Sequence, residues 1–148
     1  MILIGEKIQQ LNVPNKNKQI YLTETMRRAL NNPRLRLGVS GRLGMPNPDK
    51  FSFQHLSIID YLRVAEDTRS HVTTNLRIED GWLVGDVEVL DTPQGSILKD
   101  IMEVQKMIFR LAIICNMTKE HIEKRKRGIL VDHINIIAIN AIPEDESV

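Results

Sequence analysis

The chain offers few side chains whose types and spacing could support catalysis. Its one cysteine, Cys115, is the first candidate nucleophile, because a thiolate is reactive when a nearby base or cation lowers its pKa. His71 and His133 are the candidate bases for such a thiolate. The competing interpretation of Cys115 is a buried strand thiol, since free cysteine is among the most buried residue types.

The neighbouring residues Ser70 and His71 have the types of a serine nucleophile and its base. We predict that both lie in an extended segment, where successive side chains point to opposite faces of a sheet. On that prediction the two side chains cannot form a dyad. His71 would then be a surface or half-buried strand histidine.

No sequence pattern indicates a bound metal or cofactor. The histidines His55, His121 and His133 are scattered and lack paired cysteines, which disfavours a zinc site. The loop glycines have no phosphate-binding pattern. The basic run Lys124–Arg127 follows two glutamates and fits a solvated helix end better than a contact with nucleic acid. We therefore predict no cofactor and no metal.

Length and composition indicate a single globular domain. A chain of 148 residues can bury roughly two thirds of the surface that its unfolded form exposes. The formal net charge of +1 gives no long-range field to attract nucleic acid or an anionic membrane. Apolar runs such as Ile134–Ile142 are too short to cross a bilayer, and the N-terminus lacks the features of a signal peptide. We expect a protein that acts in a cytoplasm.

Hydrophobic periodicity predicts an α+β domain over residues 1–142 and a flexible acidic tail over residues 143–148. An Asp-Gly pair at Asp80 and Gly81 predicts a hairpin between two of the strands. The segment Ser40–Lys50 reads as a loop, and Phe51–Ala65 is ambiguous. The predicted strands and extended segments are Ile2–Ile8, Gln19–Leu22, Leu35–Val39, His71–Glu79, Trp82–Leu90, Phe109–Cys115 and Ile129–Ile142.

Three helices are predicted from caps and spacing. The first runs from a Thr23 cap to about Leu30, and Pro33 ends it. The second follows the Thr92 cap and Pro93, and the third begins at Thr118. The second helix should bury one apolar stripe, made of Ile97, Ile101, Val104 and Ile108.

Three stretches of the sequence, in this order, resemble the prohead maturation proteases of tailed phages of the T-even type. They are Asn15–Tyr21, the run from Ser70 through the hairpin to Lys99, and Asp132–Ile142. This family shares the herpesvirus assemblin fold. The resemblance implies a compact antiparallel β-barrel-like core with packed helices. It also implies descent from an enzyme that cleaves scaffold and capsid proteins during head maturation.

The chain departs from the family where the catalytic groups should be. Met45 stands at the position of the family's histidine base, and a thioether cannot accept a proton at neutral pH. The region of the nucleophilic serine contains none, with Ile114 and Cys115 at the nearest positions. Asn140 stands where some members carry an acid.

The resemblance and these losses together predict a catalytically inactive protein with a structural or assembly role in the phage capsid. Its partners would be capsid, scaffold or core proteins, or further copies of itself, and not nucleic acid or membrane. It would act in the host cytoplasm during assembly and in the virion head. One alternative is an active maturation protease with Cys115 as a relocated nucleophile. Another is a regulator outside the virion that binds the true protease or a host protein.

Overall fold

A computed structural model describes residues 1–45, 63–123 and 126–144, including their side chains except at positions 114, 116–123 and 126–127. The described chain consists mostly of β-strands. The strands are β1 (Ile2–Gln10), β2 (Gln19–Ile20), β3 (Val39–Gly41), β4 (His71–Glu79), β5 (Trp82–Val89), β6 (Met107–Glu123) and β7 (Lys126–Pro143). The helices are α1 (Thr23–Ala29), α2 (Pro93–Val104) and the short 3-10 helices Pro33–Leu37 and Glu66–Thr68.

The strands form two sheets that enclose the core. One is antiparallel with the order β1-β5-β4-β3, and the other has the order β2-β7-β6, in which β2 runs parallel to β7. The mixture of strands and helices agrees with the predicted class. Neither sheet closes on itself in the described chain, so the structure does not show the expected barrel. Side chains such as Phe109, Leu83 and Ile139 fill the core.

The hairpin between β4 and β5 confirms the prediction made from the Asp-Gly pair. Asp80 and Gly81 have φ angles of 50° and 78°. A two-residue turn with positive φ at both positions matches the right-handed twist of its strands. In β5 the side chains of Leu83 and Val87 are fully buried.

Helix α2 begins as predicted but buries a different face. The Thr92 hydroxyl accepts a hydrogen bond from the Gly95 amide at 3.0 Å, which confirms the cap. The buried positions are Gly95 and Leu98, whereas Ile97 is 44% exposed and Val104 is 83% exposed. A Cβ atom at position 95 would collide with the Leu90 carbonyl, so this close approach sets the rotation of the helix. The predicted buried stripe is therefore wrong.

Helix α1 starts without the cap that the sequence suggested. Thr23 is the first residue of the helix, and Leu22 before it makes no side-chain cap. The Asn12 side chain instead binds Thr23 twice, accepting from its amide at 3.0 Å and donating to its hydroxyl at 2.8 Å. Met26 is fully buried on the inner face of the helix.

The segment predicted as the strand Leu35–Val39 is mostly a 3-10 helix. Pro33–Leu37 form this helix, and the Asn32 side chain caps it by accepting from the Arg34 amide at 3.1 Å. Strand β3 starts only at Val39, after Gly38, which has a φ angle of 90°. The capping asparagine and the proline at the helix start outweigh the alternating leucines.

The prediction of a helix from Thr118 is also wrong. Strand β6 continues to Glu123 and pairs with β7 down to the register Glu123↔Lys126. Strand β2 adds a third strand at Ile129 and Leu130, and this pairing of strands overrides the local helix propensity.

Several predicted segments lie partly or wholly outside the described residues. These are most of Phe51–Ala65, the end of the loop Ser40–Lys50, residues 124 and 125 of the basic run, and tail residues 145–148. The first tail residues are described, since Pro143 ends β7 and Glu144 pairs with Lys106 at 3.5 Å. Within the part of the chain that is described, no helix is long and apolar enough to span a membrane.

Gly41 lies against the Ile139 carbonyl of β7, and we predict that Gly41→Ala strongly destabilises the protein. Its added Cβ would overlap the Ile139 carbonyl and the His71 ring. The free energy of unfolding should fall by about 3 kcal/mol or more, measured by urea denaturation. Gly44→Ala is the control, because no atom of the described residues lies within 4 Å of a Cβ at this position and its φ of 77° is the main constraint. The free energy of unfolding of Gly44→Ala should fall by only about 1 kcal/mol. Equal decreases in the two variants would contradict the close approach at Gly41.

Candidate functional site

Asn140 and Met45, the residues that the resemblance matched to the acid and the base, are in contact. Asn140 lies on β7 and is fully buried. Its Nδ2 atom donates to the Met45 sulfur at 3.5 Å, and its Oδ1 atom accepts from the Arg42 amide at 3.2 Å. Backbone hydrogen bonds between Ala141 and both Arg42 and Gly44 fix the same loop on β7.

Neither side chain of this pair can transfer a proton at neutral pH. The amide of Asn140 does not ionise, and the Met45 thioether is only a weak acceptor. Met45 is 43% exposed and forms the surface above the buried amide. The arrangement fixes residues 42–45 on β7 and supplies no general base from this pair.

The third matched position is not brought to this pair. In the register of β6 and β7, Ile114 lies opposite Asn135, whereas Arg110 lies opposite Asn140. Five residues of β-strand separate Asn135 from Asn140, which corresponds to about 17 Å. Cys115 follows Ile114, so the thiol is likewise distant from Met45.

The strand position opposite Asn140 is occupied by an arginine that sequence reasoning had not singled out. The Arg110 guanidinium donates to the carbonyls of Lys7 and Ile8 at 3.2 and 3.3 Å. Burial lowers the pKa of Arg110, and the Glu144 carboxylate acts in the opposite direction. Arg110 thus attaches β6 to the edge strand β1.

Cys115 lies in an environment that favours the neutral thiol. Its side chain is half-buried and packs against the core, and burial raises the pKa of the thiol. The register places Cys115 across from the bulge that contains His133. The His133 ring is 73% exposed, with Nε2 3.5 Å from Asp132. A reactive thiolate needs the opposite conditions.

Ser70 and His71 form a hydrogen-bonded pair, contrary to the prediction that they face apart. The Ser70 hydroxyl oxygen lies 2.7 Å from His71 Nδ1, and His71 Nε2 lies 2.7 Å from the Ile139 carbonyl oxygen. A carbonyl only accepts, so Nε2 carries the proton and Nδ1 accepts from the serine. The two side chains do not alternate between faces, because β4 begins at His71 and Ser70 precedes the strand.

The Ser70–His71 pair is closed to substrates. Both residues are fully buried, and the His71 ring packs edge-on against Phe109 with centroids 5.0 Å apart. Burial lowers the pKa of His71 to about 4, opposed by its bond to the Ile139 carbonyl. The pair links β4 in one sheet to β7 in the other, and its geometry indicates a structural role.

Metal-ligating side chains are dispersed. Among the residues that the structure describes, no three His, Cys, Asp or Glu side chains are grouped so that they could hold a metal ion.

The low pKa of His71 predicts a loss of stability in mild acid. The unfolded chain takes up the proton below pH 6.5 and the folded chain only near pH 4. The contribution of the neutral His71 ring to the free energy of unfolding is therefore complete above pH 6.5, and it is lost as pH falls toward 4. At pH 5, the free energy of unfolding should be about 2 kcal/mol below its value at pH 7.5.

Urea denaturation at both pH values checks this expectation with two variants. His71→Gln should remove the pH-dependent difference, whatever it does to stability at neutral pH. His133→Gln, which changes an exposed ring, should keep the difference. A pH dependence that survives in His71→Gln would show that other groups cause it.

Comparison with known proteins gives a match in structure alone. No protein-family model matches the sequence, and no curated protein matches it. The fold is similar to the structure of the bacteriophage T4 capsid assembly protease, gp21, with a TM-score of 0.69 and 13% sequence identity. The match covers 96% of this chain and 90% of that chain. The protein therefore has a fold similar to that of a phage capsid assembly protease.

Proposed function

We propose that this protein is a catalytically inactive, protease-like component of phage head assembly. The observation that carries the proposal is the contact between Asn140 and Met45 at 3.5 Å. It occurs in a fold similar to that of the T4 capsid assembly protease. The positions matched to acid and base are adjacent, and neither residue can act as a general acid or base.

The surrounding fold supports a binding role in place of catalysis. The loop that carries Met45 is fixed to β7 by the Arg42, Gly44 and Asn140 hydrogen bonds. A domain that keeps an ordered loop over an uncharged site retains a surface for partners. The partners we propose are capsid, scaffold or core proteins, in the host cytoplasm during assembly and afterwards in the virion head.

Mass spectrometry of purified particles tests the proposed role. The protein should be present at full length in mature heads, in a fixed ratio to the major capsid protein. A matched sample of proheads controls for protein that is lost during maturation. Absence from both samples would contradict a head role and favour a regulator outside the virion.

Cys115 provides the test against an active cysteine protease. Because burial raises the pKa of the thiol, folded protein at pH 7 should react with iodoacetamide at least about tenfold more slowly than the urea-unfolded chain. Mass spectrometry of alkylated protein over time gives both rates. The unfolded sample serves as the control for the intrinsic reactivity of this cysteine.

A cleavage assay completes this test. Purified protein incubated with head proteins should leave them intact, and Cys115→Ala should behave identically. Faster alkylation of the folded protein, together with cleavage that Cys115→Ala abolishes, would establish the relocated nucleophile and overturn the proposal.

A further inference from the structure

A small pocket lies where strand β1 and the loop after it meet the beginnings of β5 and β6. Ile8, Val13, Pro14 and Trp82 give it apolar walls, and Arg110 is the charged residue among the described residues that line it. The volume of about 110 Å³ equals the share of roughly four water molecules in the liquid. The pocket therefore has room for a ligand of about four or five non-hydrogen atoms.

The Arg110 guanidinium is anchored through one of its three nitrogens. Its Nη1 atom donates to the carbonyls of Phe109, Lys7 and Ile8 at 2.9, 3.2 and 3.3 Å. Nε and Nη2 make no hydrogen bond to the described residues, and neither atom is buried away from solvent. These two nitrogens form one edge of the planar group, with two parallel N–H bonds that match the two oxygens of a carboxylate. Arg110 thus offers a fixed pair of donors that a ligand can reach.

The charge of Arg110 is only partly balanced within the described chain. Burial lowers the pKa of its guanidinium, and the Glu144 carboxylate opposes this change to a smaller extent. Glu144 itself forms an ion pair with Lys106, at 3.5 Å. A second cation is close to the pocket, since the Lys7 ammonium lies 5.2 Å from the centroid of the Trp82 ring. An anion in this pocket would therefore be attracted by two positive charges.

The walls of the pocket favour a carboxylate over a phosphate. A short carboxylate would place its two oxygens on the guanidinium and its carbon atoms against the Trp82 ring. A phosphate would bring further charged oxygens against the same apolar walls, at a cost in desolvation. The wall formed by Asn15 is held in place, because its side chain accepts from the amides of Asn17 and Gln19, each at 2.9 Å. The pocket is thus preformed for a small ligand with a single negative charge.

We propose that this pocket binds a carboxylate group, held by Nε and Nη2 of Arg110 and with its carbon atoms against Trp82. Two sources can supply this group, namely a free short-chain monocarboxylate and an aspartate or glutamate side chain of another protein. Both present the same planar anion on a short apolar stem. The inference does not rest on the proposed head role, and each of the two can fail without the other.

Tryptophan fluorescence measures binding directly, because Trp82 is the only tryptophan of the chain and lines the pocket. Titration with sodium propionate at constant ionic strength should give a saturable change, with a dissociation constant in the millimolar range. Propionamide, which has nearly the same shape without the charge, should give no saturable change. Phosphate should bind more weakly than propionate. A response to propionate that does not saturate, or that propionamide reproduces, would overturn the proposal, as would equal or tighter binding of phosphate.

Three variants locate the bound carboxylate. Arg110→Gln should weaken propionate binding by roughly tenfold or more, because the charged donors are lost. Val13→Phe should also weaken binding, since it fills the pocket from the exposed loop without changing Arg110, and it tests the site even if Arg110→Gln does not fold. Arg27→Gln is the matched control, because Arg27 is an exposed arginine of α1, and it should bind as the parent protein does. Unchanged binding in Val13→Phe, or equal weakening in Arg27→Gln, would overturn the proposal.

A second ligand distinguishes the two sources of the carboxylate. The N-acetyl, N-methylamide derivative of glutamate carries the same group on a peptide unit. Tighter binding of this compound than of propionate would identify an acidic side chain of another protein as the occupant. Weaker binding would identify a free short-chain carboxylate. Failure of both compounds to bind would overturn the proposal.

Discussion

The arrangement of the two sheets depends on the hydrogen bond between His71 and the Ile139 carbonyl. This bond joins β4 to β7 at 2.7 Å in a region without exposed surface. It requires a proton on Nε2, and in the neutral imidazole Ser70 favours this tautomer by donating to Nδ1. Glycine at position 41 leaves the room for the ring and the carbonyl to meet. A buried donor and acceptor that lost each other would each bear the full cost of desolvation.

The candidate site is built on the next residue of the same strand. Asn140 follows Ile139, and it binds Arg42, which follows Gly41. The position of Met45 is thus a consequence of how β3 and β7 meet. An uncharged amide is suited to this place, because a buried carboxylate here would have to be compensated by a charged partner.

Local sequence signals predicted the elements whose causes are local. The Asp-Gly turn and the Thr92 cap are of this kind, since neighbouring residues determine them. The distal half of β6 was missed because its charged residues favour a helix until β7 pairs with them. The rotation of α2 depends on Gly95 meeting the Leu90 carbonyl, a contact that periodicity cannot reveal.

The candidate site was predictable only in part for the same reason. The resemblance marked Met45 and Asn140, but only the register of β7 and the path of the loop bring them together. It also marked Ile114 and Cys115, which the register places elsewhere on β6. The Ser70–His71 bond was missed because it depends on the residue at which a strand begins, and boundaries are the least certain part of a sequence-based prediction.

The pairing of β2 with β7 has a consequence for synthesis of the chain. Strands β1, β3, β4 and β5 all precede Leu90, so the first sheet can assemble while the remainder of the chain is still on the ribosome. Strand β2, near the start, gains its only strand partner in the described chain when β7 emerges. The hydrogen bond of His71 likewise cannot form until Ile139 has been synthesised. Contacts between distant segments form slowly, so a nascent chain exposes this histidine and its serine to solvent until the last strand is in place.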